Sequence, residues 1–430
     1  MLAFTTIWIG QVISLLGTAM SSFALTIWAW QITGQATALA LVGFFSFAPN
    51  IVVSPVAGAL VDRWNRKLTM MLSDLAAVLS TVTVLFLYST GNLQIWHLYV
   101  TGAFSGTFQA FQFPAYSAAV TTMVSKKHYG RASGMLSMAE FSSNIFAPVL
   151  AAILLTVIGI SGILTIDVIT FLVAISALLL VHVPQPTQTK ERDKSKGNLW
   201  KESIYGFRYI FKRPSLIGLQ MLGLAANLVL TFAITVLAPM LLARTGNDTA
   251  VLGIVQSAFG AGGLVGSILL SVWGGPKHKI HGILVSITLV ALGMALIGVG
   301  RDAYVWAAAA FFTMLFIPIA NGSSQAIWQA KVPPDVQGRV FATRGMIARI
   351  SVPVSMLLAG PLADQVFEPA MMTEGAGLAT MFGGVVGIGP GAGMALMFVI
   401  AGVFGILVGL GGYAFRVVRN IEEILPDHKA

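Results

Sequence analysis

Gly58-Ala59-Leu60-Val61-Asp62-Arg63-Trp64-Asn65-Arg66-Lys67 is a short charged break in a chain that is apolar on both sides of it. One apolar run begins near Leu39 and leads into the break, and a second runs from Leu68 to about Tyr88. Each is long enough for a helix to cross a hydrocarbon layer, which takes about 20 residues. A cationic turn between two such runs is a hairpin on one membrane face. Lys and Arg collect on the cytoplasmic face.

The composition extends this reading to the whole chain. Of 430 residues, 56% are hydrophobic and 10% charged, and the mean hydropathy is +0.84. Soluble domains carry roughly a quarter charged residues, so this chain needs lipid as solvent. The net charge of +9 is explained by cytoplasmic loop cations, and no nucleic-acid partner is expected. No Cys is present, which excludes disulfides and thiol chemistry. The first apolar segment starts almost at Met1 and is too long for a signal-peptide core, so it is expected to remain as a span.

Reading in windows of about 20 residues gives twelve spans, roughly 4–30, 38–61, 68–90, 95–122, 132–157, 161–183, 214–243, 250–273, 282–300, 303–330, 339–365 and 392–418. All should be helices, because lipid leaves no partner for an open strand. Cations fall after even-numbered spans: Arg63, Arg66 and Lys67, then Lys126, Lys127 and Arg131, a run from Lys190 to Arg213, and later Lys277, Lys279, Lys331, Arg339 and Arg344. The other face holds Arg244 and Arg301. Both termini are therefore expected in the cytoplasm.

Residues 185–213 form the long polar stretch between spans, and the charged run Lys190-Glu191-Arg192-Asp193-Lys194 reads as a solvated linker. It separates a six-helix lobe at 1–184 from a second at 214–419, followed by a tail at 420–430. Phe207 to Phe211 suits a short amphipathic surface helix. The halves repeat weakly: Gly106-Thr107-Phe108-Gln109-Ala110 matches Gly322-Ser323-Ser324-Gln325-Ala326, and Gly130-Arg131 matches Gly338-Arg339. Such 6+6 repeats handle substrate near the midplane. Residues 367–391 are rich in glycine and read as a flexible outer loop or a lid.

Polar residues recur at helical spacing on spans one, four, seven and ten. Gln11, Ser14 and Thr18 share a face of the first, and Ser105, Gln109 and Gln112 a face of the fourth. Asn227 and Thr231 do so on the seventh, and Gln325 with Trp328 on the tenth. Such residues either bond helix to helix or line a wet cavity, and together they suit a bulky amphipathic solute. Prolines at 49, 55, 148, 239, 318, 353 and 361 predict kinks. Gly262 with Gly266, and Gly405 with Gly409, predict close helix contacts.

An intramembrane charge is costly and so marks a functional candidate. Glu140 in span five suits proton uptake and release, with Arg349 at the equivalent depth of span eleven. Asp74 is placed near the hairpin cations and Asp167 near the outer surface, both in structural roles. The six His lie in loops, span ends or the tail, and neither a His-Glu-x-x-His nor a P-loop lysine pattern occurs. No metal, cofactor or enzymatic activity is expected.

The opening stretch resembles the signature Gly-x-Leu-Ala-Asp-Arg-x-Gly-Arg-Lys of the major facilitator superfamily, with Asn65 in place of its second glycine. Phe113-Pro114-Ala115-Tyr116, Ile166-Asp167-Val168-Ile169-Thr170-Phe171 and Gly338-Arg339-Val340 further resemble its macrolide-efflux and enterobactin-exporter branch. The resemblance implies an all-α membrane protein of 12 transmembrane helices in two six-helix lobes, working by alternating access. It implies a cytoplasmic gate at Gly58, Asp62, Arg63 and Arg66, to which Asp74 is added. The family's helix-five pattern stands here as Ala147-Pro148-Val149-Leu150-Ala151-Ala152, and the second-half hairpin copy, Gly274-Gly275-Pro276-Lys277-His278-Lys279, lacks an Asp. The expected function is proton-coupled export of macrolide-like molecules from a bacterial inner membrane by a monomer. The alternatives are export of a siderophore, other endogenous metabolite or lipid, and a non-transporting membrane receptor.

Overall fold

The computed structural model describes residues 2–61, 64–125, 128–181, 199–373 and 377–426. Its helices are α1 (Leu2–Thr33), α2 (Ala36–Val61), α3 (Arg66–Ser89), α4 (Ile95–Met123), α5 (Tyr129–Leu180), α6 (Leu199–Phe211), α7 (Pro214–Thr235), α8 (Leu237–Thr245) and α9 (Thr249–Trp273). There follow α10 (Lys279–Val299), α11 (Ala303–Leu315), α12 (Ile317–Lys331), α13 (Pro334–Leu362), a π-helical turn at Ala363–Phe367, α14 (Glu368–Met371), α15 (Ala379–Val386), α16 (Ala392–Ala414), α17 (Arg416–Arg419) and α18 (Ile421–Ile424). Ten helical segments among the described residues are long and apolar enough to cross a membrane.

The residues group into two compact units, Met1–Thr187 with Leu241–Ser257, and Gln188–Met240 with Ala258–Ala430. In the first, α1 packs along α5, and α2 and α3 pack against α4. The 52 residues of α5 would reach about 78 Å if straight, more than two hydrocarbon thicknesses. Gly159 interrupts it with φ 64° and ψ −173°, a conformation open mainly to glycine. Both ends of α5 then pack near the start of α1: Ala132 joins Phe4 and Leu178 joins Ile7. Ile160 and Leu164 pack instead with Trp28, toward the far end of α1. The chain therefore reverses at Gly159, in the gap expected between spans five and six.

The opening hairpin is fastened locally. Asn65 caps α3 by accepting from the Leu68 amide at 3.2 Å. Trp64 stacks on Phe111 of α4, with ring centroids 5.7 Å apart. Lys67 Nζ donates to the carbonyls of Leu179 and Val181 at 3.0 and 2.8 Å, satisfying the C-terminal end of α5. Lys67→Met should cost about 1 kcal/mol and lower the midpoint of thermal unfolding by a few degrees. An unchanged midpoint would reduce Lys67 to a topology signal. The stretch 241–257 belongs to this unit through Trp30 Nε1, which donates to Asn247 Oδ1 at 2.9 Å, and Ser257 Oγ, which donates to the Ile145 carbonyl.

In the second unit, α10 packs on α16 and α13 on α7. Proline sets the breaks: α7 yields to α8 at Val236, ahead of Pro239, and α11 to α12 at Phe316, ahead of Pro318. The π-helical turn follows Pro361. The amphipathic segment does form a helix, α6, which packs on α13 and buries Tyr209 and Ile210. The start of the tail packs inward: Ile421 is buried in the core beside Val418 of the second lobe. The Glu422 carboxylate accepts from the amides of Lys279 and Ile280 at 3.2 and 3.1 Å, capping α10.

The glycine-rich segment carries α14 and α15. Glu368 accepts from the amides of Gly391 and Met394 at 3.1 and 2.9 Å, and Arg301 donates to the Gly384 carbonyl at 3.0 Å. The charged linker from Lys190 to Lys196, with Asp62, Arg63, Lys126 and Lys127, lies outside the described residues.

Candidate functional site

Two carboxylates are buried in the first unit, between its apolar ends. Asp74 of α3 is 5% exposed. One of its oxygens accepts from Gln11 Nε2 of α1 at 3.2 Å, the other from Gln112 Nε2 of α4 at 2.9 Å. Gln112 Nε2 also lies 3.3 Å from Gln11 Oε1. Gln112 Oε1 is buried with no hydrogen-bond partner among the described residues. Asp167, 1% exposed, accepts from Thr18 Oγ1 at 3.2 Å and Thr81 Oγ1 at 3.1 Å. Among the described residues both carboxylates are held by neutral donors, and neither has a cation beside it.

This corrects the expected neighbours of Asp74. Asp74 stands eight residues into α3, about 12 Å along the helix. That carries it past the hairpin cations into the polar stripes of α1 and α4. Asp167 is buried among helices and ties α5 to α1 and α3. Both sit where the apolar clusters around Ile7 and Met70 at one end and Trp28 and Leu164 at the other leave room.

The second unit lines an open cavity of about 410 Å³. Its wall is largely aliphatic, from Leu219, Leu230, Ile283, Ile287 and Met294 among others. Its polar groups come from Gln220, Asn227, Asn321, Ser324, Arg344 and Arg349, with the indole of Trp328. Two stripes at helical spacing build it. Gln220 Nε2 donates to the Arg344 carbonyl at 3.3 Å, and Asn227 Nδ2 to the Ala348 carbonyl at 3.0 Å and to Ser351 Oγ. These bonds zip α7 to α13 along their polar faces. Arg344 Nη1 donates to Gln325 Oε1 at 2.7 Å, and Nη2 to Ser324 Oγ at 3.0 Å. Its guanidinium carbon lies 5.3 Å from the Trp328 ring centre, within cation–π range.

The structure thus brings together part of each predicted set. Gln11 and Gln112 meet at Asp74, Thr18 meets Asp167, and Asn227 and Trp328 line the cavity beside Gln325's partner Arg344. Thr231 Oγ1 turns back to the Asn227 carbonyl. Ser14 is buried, Ser105 half-buried and Gln109 exposed. Glu140 is exposed on the first arm of α5, and Arg349 is exposed at the cavity wall. Of the gate residues, Gly58 lies near the end of α2, Arg66 opens α3, and Asp62 and Arg63 lie outside the described residues.

Arg344 is the residue that the loop-charge reading misplaced. It counted there as a cytoplasmic charge, yet it stands at the cavity. Its spacing to Ser351 and Ser355, two and three turns on, was the available signal.

The comparisons with known proteins agree with this architecture. Over 371 residues the sequence is 28% identical to macrolide efflux protein A of Streptococcus pyogenes, covering 85% of this chain and 90% of that protein. It is 26% identical over 345 residues to the multidrug efflux pump Tap of Mycolicibacterium fortuitum, covering 78% of this chain and 82% of that one. Among solved structures, a bacterial homologue of the human lysosomal transporter Spinster superposes with a TM-score of 0.68 at 15% identity, over 95% of this chain and 97% of that one. A bacterial homologue of the iron transporter ferroportin gives 0.64 at 14%, over 95% and 98%. These two show the fold alone. The family model for the Major Facilitator Superfamily matches residues 7–356, and the chain belongs to that superfamily of multi-pass membrane transporters, not to the enzymes.

Proposed function

We propose that this chain exports amphipathic small molecules of the macrolide-like kind from a bacterial inner membrane, in exchange for protons. Two six-helix lobes alternate access, and both termini are cytoplasmic. The count of twelve crossings is supported by ten qualifying helices, by α4 as a more polar eleventh, and by the reversal at Gly159 that divides α5. The observation that carries the reading is the cavity beside α7, α10, α12 and α13. An aliphatic wall with a few convergent polar groups is what an amphipathic solute needs. The relatives named as macrolide and multidrug efflux proteins support the direction of transport. The gate at Gly58, Asp62, Arg63 and Arg66 follows the family resemblance.

The test is drug accumulation in an efflux-deficient bacterium and in energised inverted vesicles. Expression should raise resistance to erythromycin several-fold, and a protonophore should abolish the accompanying uptake into vesicles. Uptake indifferent to the protonophore would remove the proton from the mechanism. Three acids compete for that role: exposed Glu140, and buried Asp74 and Asp167. A carboxylate held by neutral donors can take a proton without breaking an ion pair, which favours the buried two. Glu140→Gln should therefore retain at least half of gradient-driven efflux. A loss of tenfold or more would return the role to Glu140.

A further inference from the structure

The cavity of the second unit carries two cations and no acid. Arg344 and Arg349 both line it, and its lining holds no Asp or Glu. Among the described residues Arg344 bonds only to neutral oxygens, those of Gln325 and Ser324. Arg344 is half-buried and Arg349 exposed, and a guanidinium partly withdrawn from water gains when an anion meets it. The two neutral acceptors hold part of the planar fork in place and leave other N–H donors for a ligand. Trp328, 1% exposed, lies beneath the guanidinium within cation–π range. Around this polar end the wall is aliphatic.

We infer that the cavity takes the anionic end of an amphipathic solute: a carboxylate, sulfonate or phosphate on an apolar body, held by Arg344 and Arg349. This rests on the export reading and adds to its cationic macrolides a class of anionic amphiphiles. Asn227 is spent on α13, through the Ala348 carbonyl and Ser351, so among the polar lining residues the charged donors are the two arginines, with the amide of Asn321 beside them. The volume of about 410 Å³ is within the range of small-molecule sites. It admits an apolar ring system or chain behind the head group.

The test is binding to the purified full-length protein in an uncharged detergent, measured by calorimetry and thermal shift. The probes are fusidate, an amphipathic carboxylate, its neutral methyl ester, and cationic erythromycin. Fusidate should bind at least tenfold more tightly than its ester to the wild-type protein. Arg344→Gln and Arg349→Gln should each weaken fusidate about tenfold and leave the ester unchanged. Arg344→Lys, which keeps the charge but not the fork, should fall between. Equal affinity for acid and ester in the wild-type protein overturns the inference whatever the variants do. So does fusidate binding that survives both substitutions together. A second arm uses nanodiscs of phosphatidylcholine with or without phosphatidylglycerol. Competition by phosphatidylglycerol would identify a lipid head group as the anion, and its absence a free solute. Erythromycin efflux that persists without any anion preference would sink this inference alone. Anion binding without efflux would sink the export reading alone.

Discussion

Replacing Gly262 by leucine should prevent the second unit from assembling. A Cβ at Gly262 overlaps the carbonyl of Phe311, and one at Gly266 overlaps the carbonyl of Leu315, so α9 and α11 touch backbone to backbone. The obstacle is main chain, which cannot rotate away as a side chain can. Even alanine must part the two helices, at about 1–3 kcal/mol. Leucine adds three more carbons and should exceed about 3 kcal/mol, enough to abolish a single sharp peak in fluorescence-detected gel filtration. Gly411 in α16 is the control, because nothing lies within 4 Å of an added Cβ there. Gly411→Ala should be neutral or slightly stabilising. A Gly262→Leu protein with the wild-type melting midpoint would mean that the two backbones stand further apart.

That contact was legible in the sequence because it needs nothing beyond spacing. Gly262 and Gly266 are one turn apart, as are Gly405 and Gly409, and an added Cβ at the second pair meets Ala291 and Thr288 of α10. The ten long apolar helices were legible for a similar reason: hydrophobic length is a property of each segment alone. Asp74 and Arg344 were different. Loop charge assigns a cation by its distance from the nearest span end, and Arg344 lies only a few residues inside span eleven. Its destination is decided by Ser324 and Gln325 on another helix. Asp74 likewise follows Gln11 and Gln112, whose spacing on their own helices carries no sign of a shared acid. Glu422 shows the limit most plainly. Nothing in a short charged tail foretells that its carboxylate will cap α10, since both partners are ordinary alone.

The acid at the centre of the first unit separates fold from function. Asp74→Leu removes the acceptor for two half-buried amide groups. Each unpaired donor costs about 1–3 kcal/mol, although bonds inside membranes often fall at the low end. The variant should melt well below the wild type. Asp74→Asn should not. Its carbonyl can accept from Gln11, and its amide can donate to Gln112 once that side-chain amide turns over to present Oε1, which has no partner among the described residues, in place of Nε2. The asparagine form therefore mimics a protonated Asp74: its side chain both donates and accepts, and it stays neutral. It should insert, fold and bind solute like the wild type, while gradient-driven efflux falls at least tenfold and solute exchange at equilibrium survives. Asp167→Asn is the matching experiment at Thr18 and Thr81. If Asp74→Asn pumps at the wild-type rate and Asp167→Asn does not, the proton belongs to Asp167. If both pump normally, the buried carboxylates only bind helices together, as the neutral donors around them would allow.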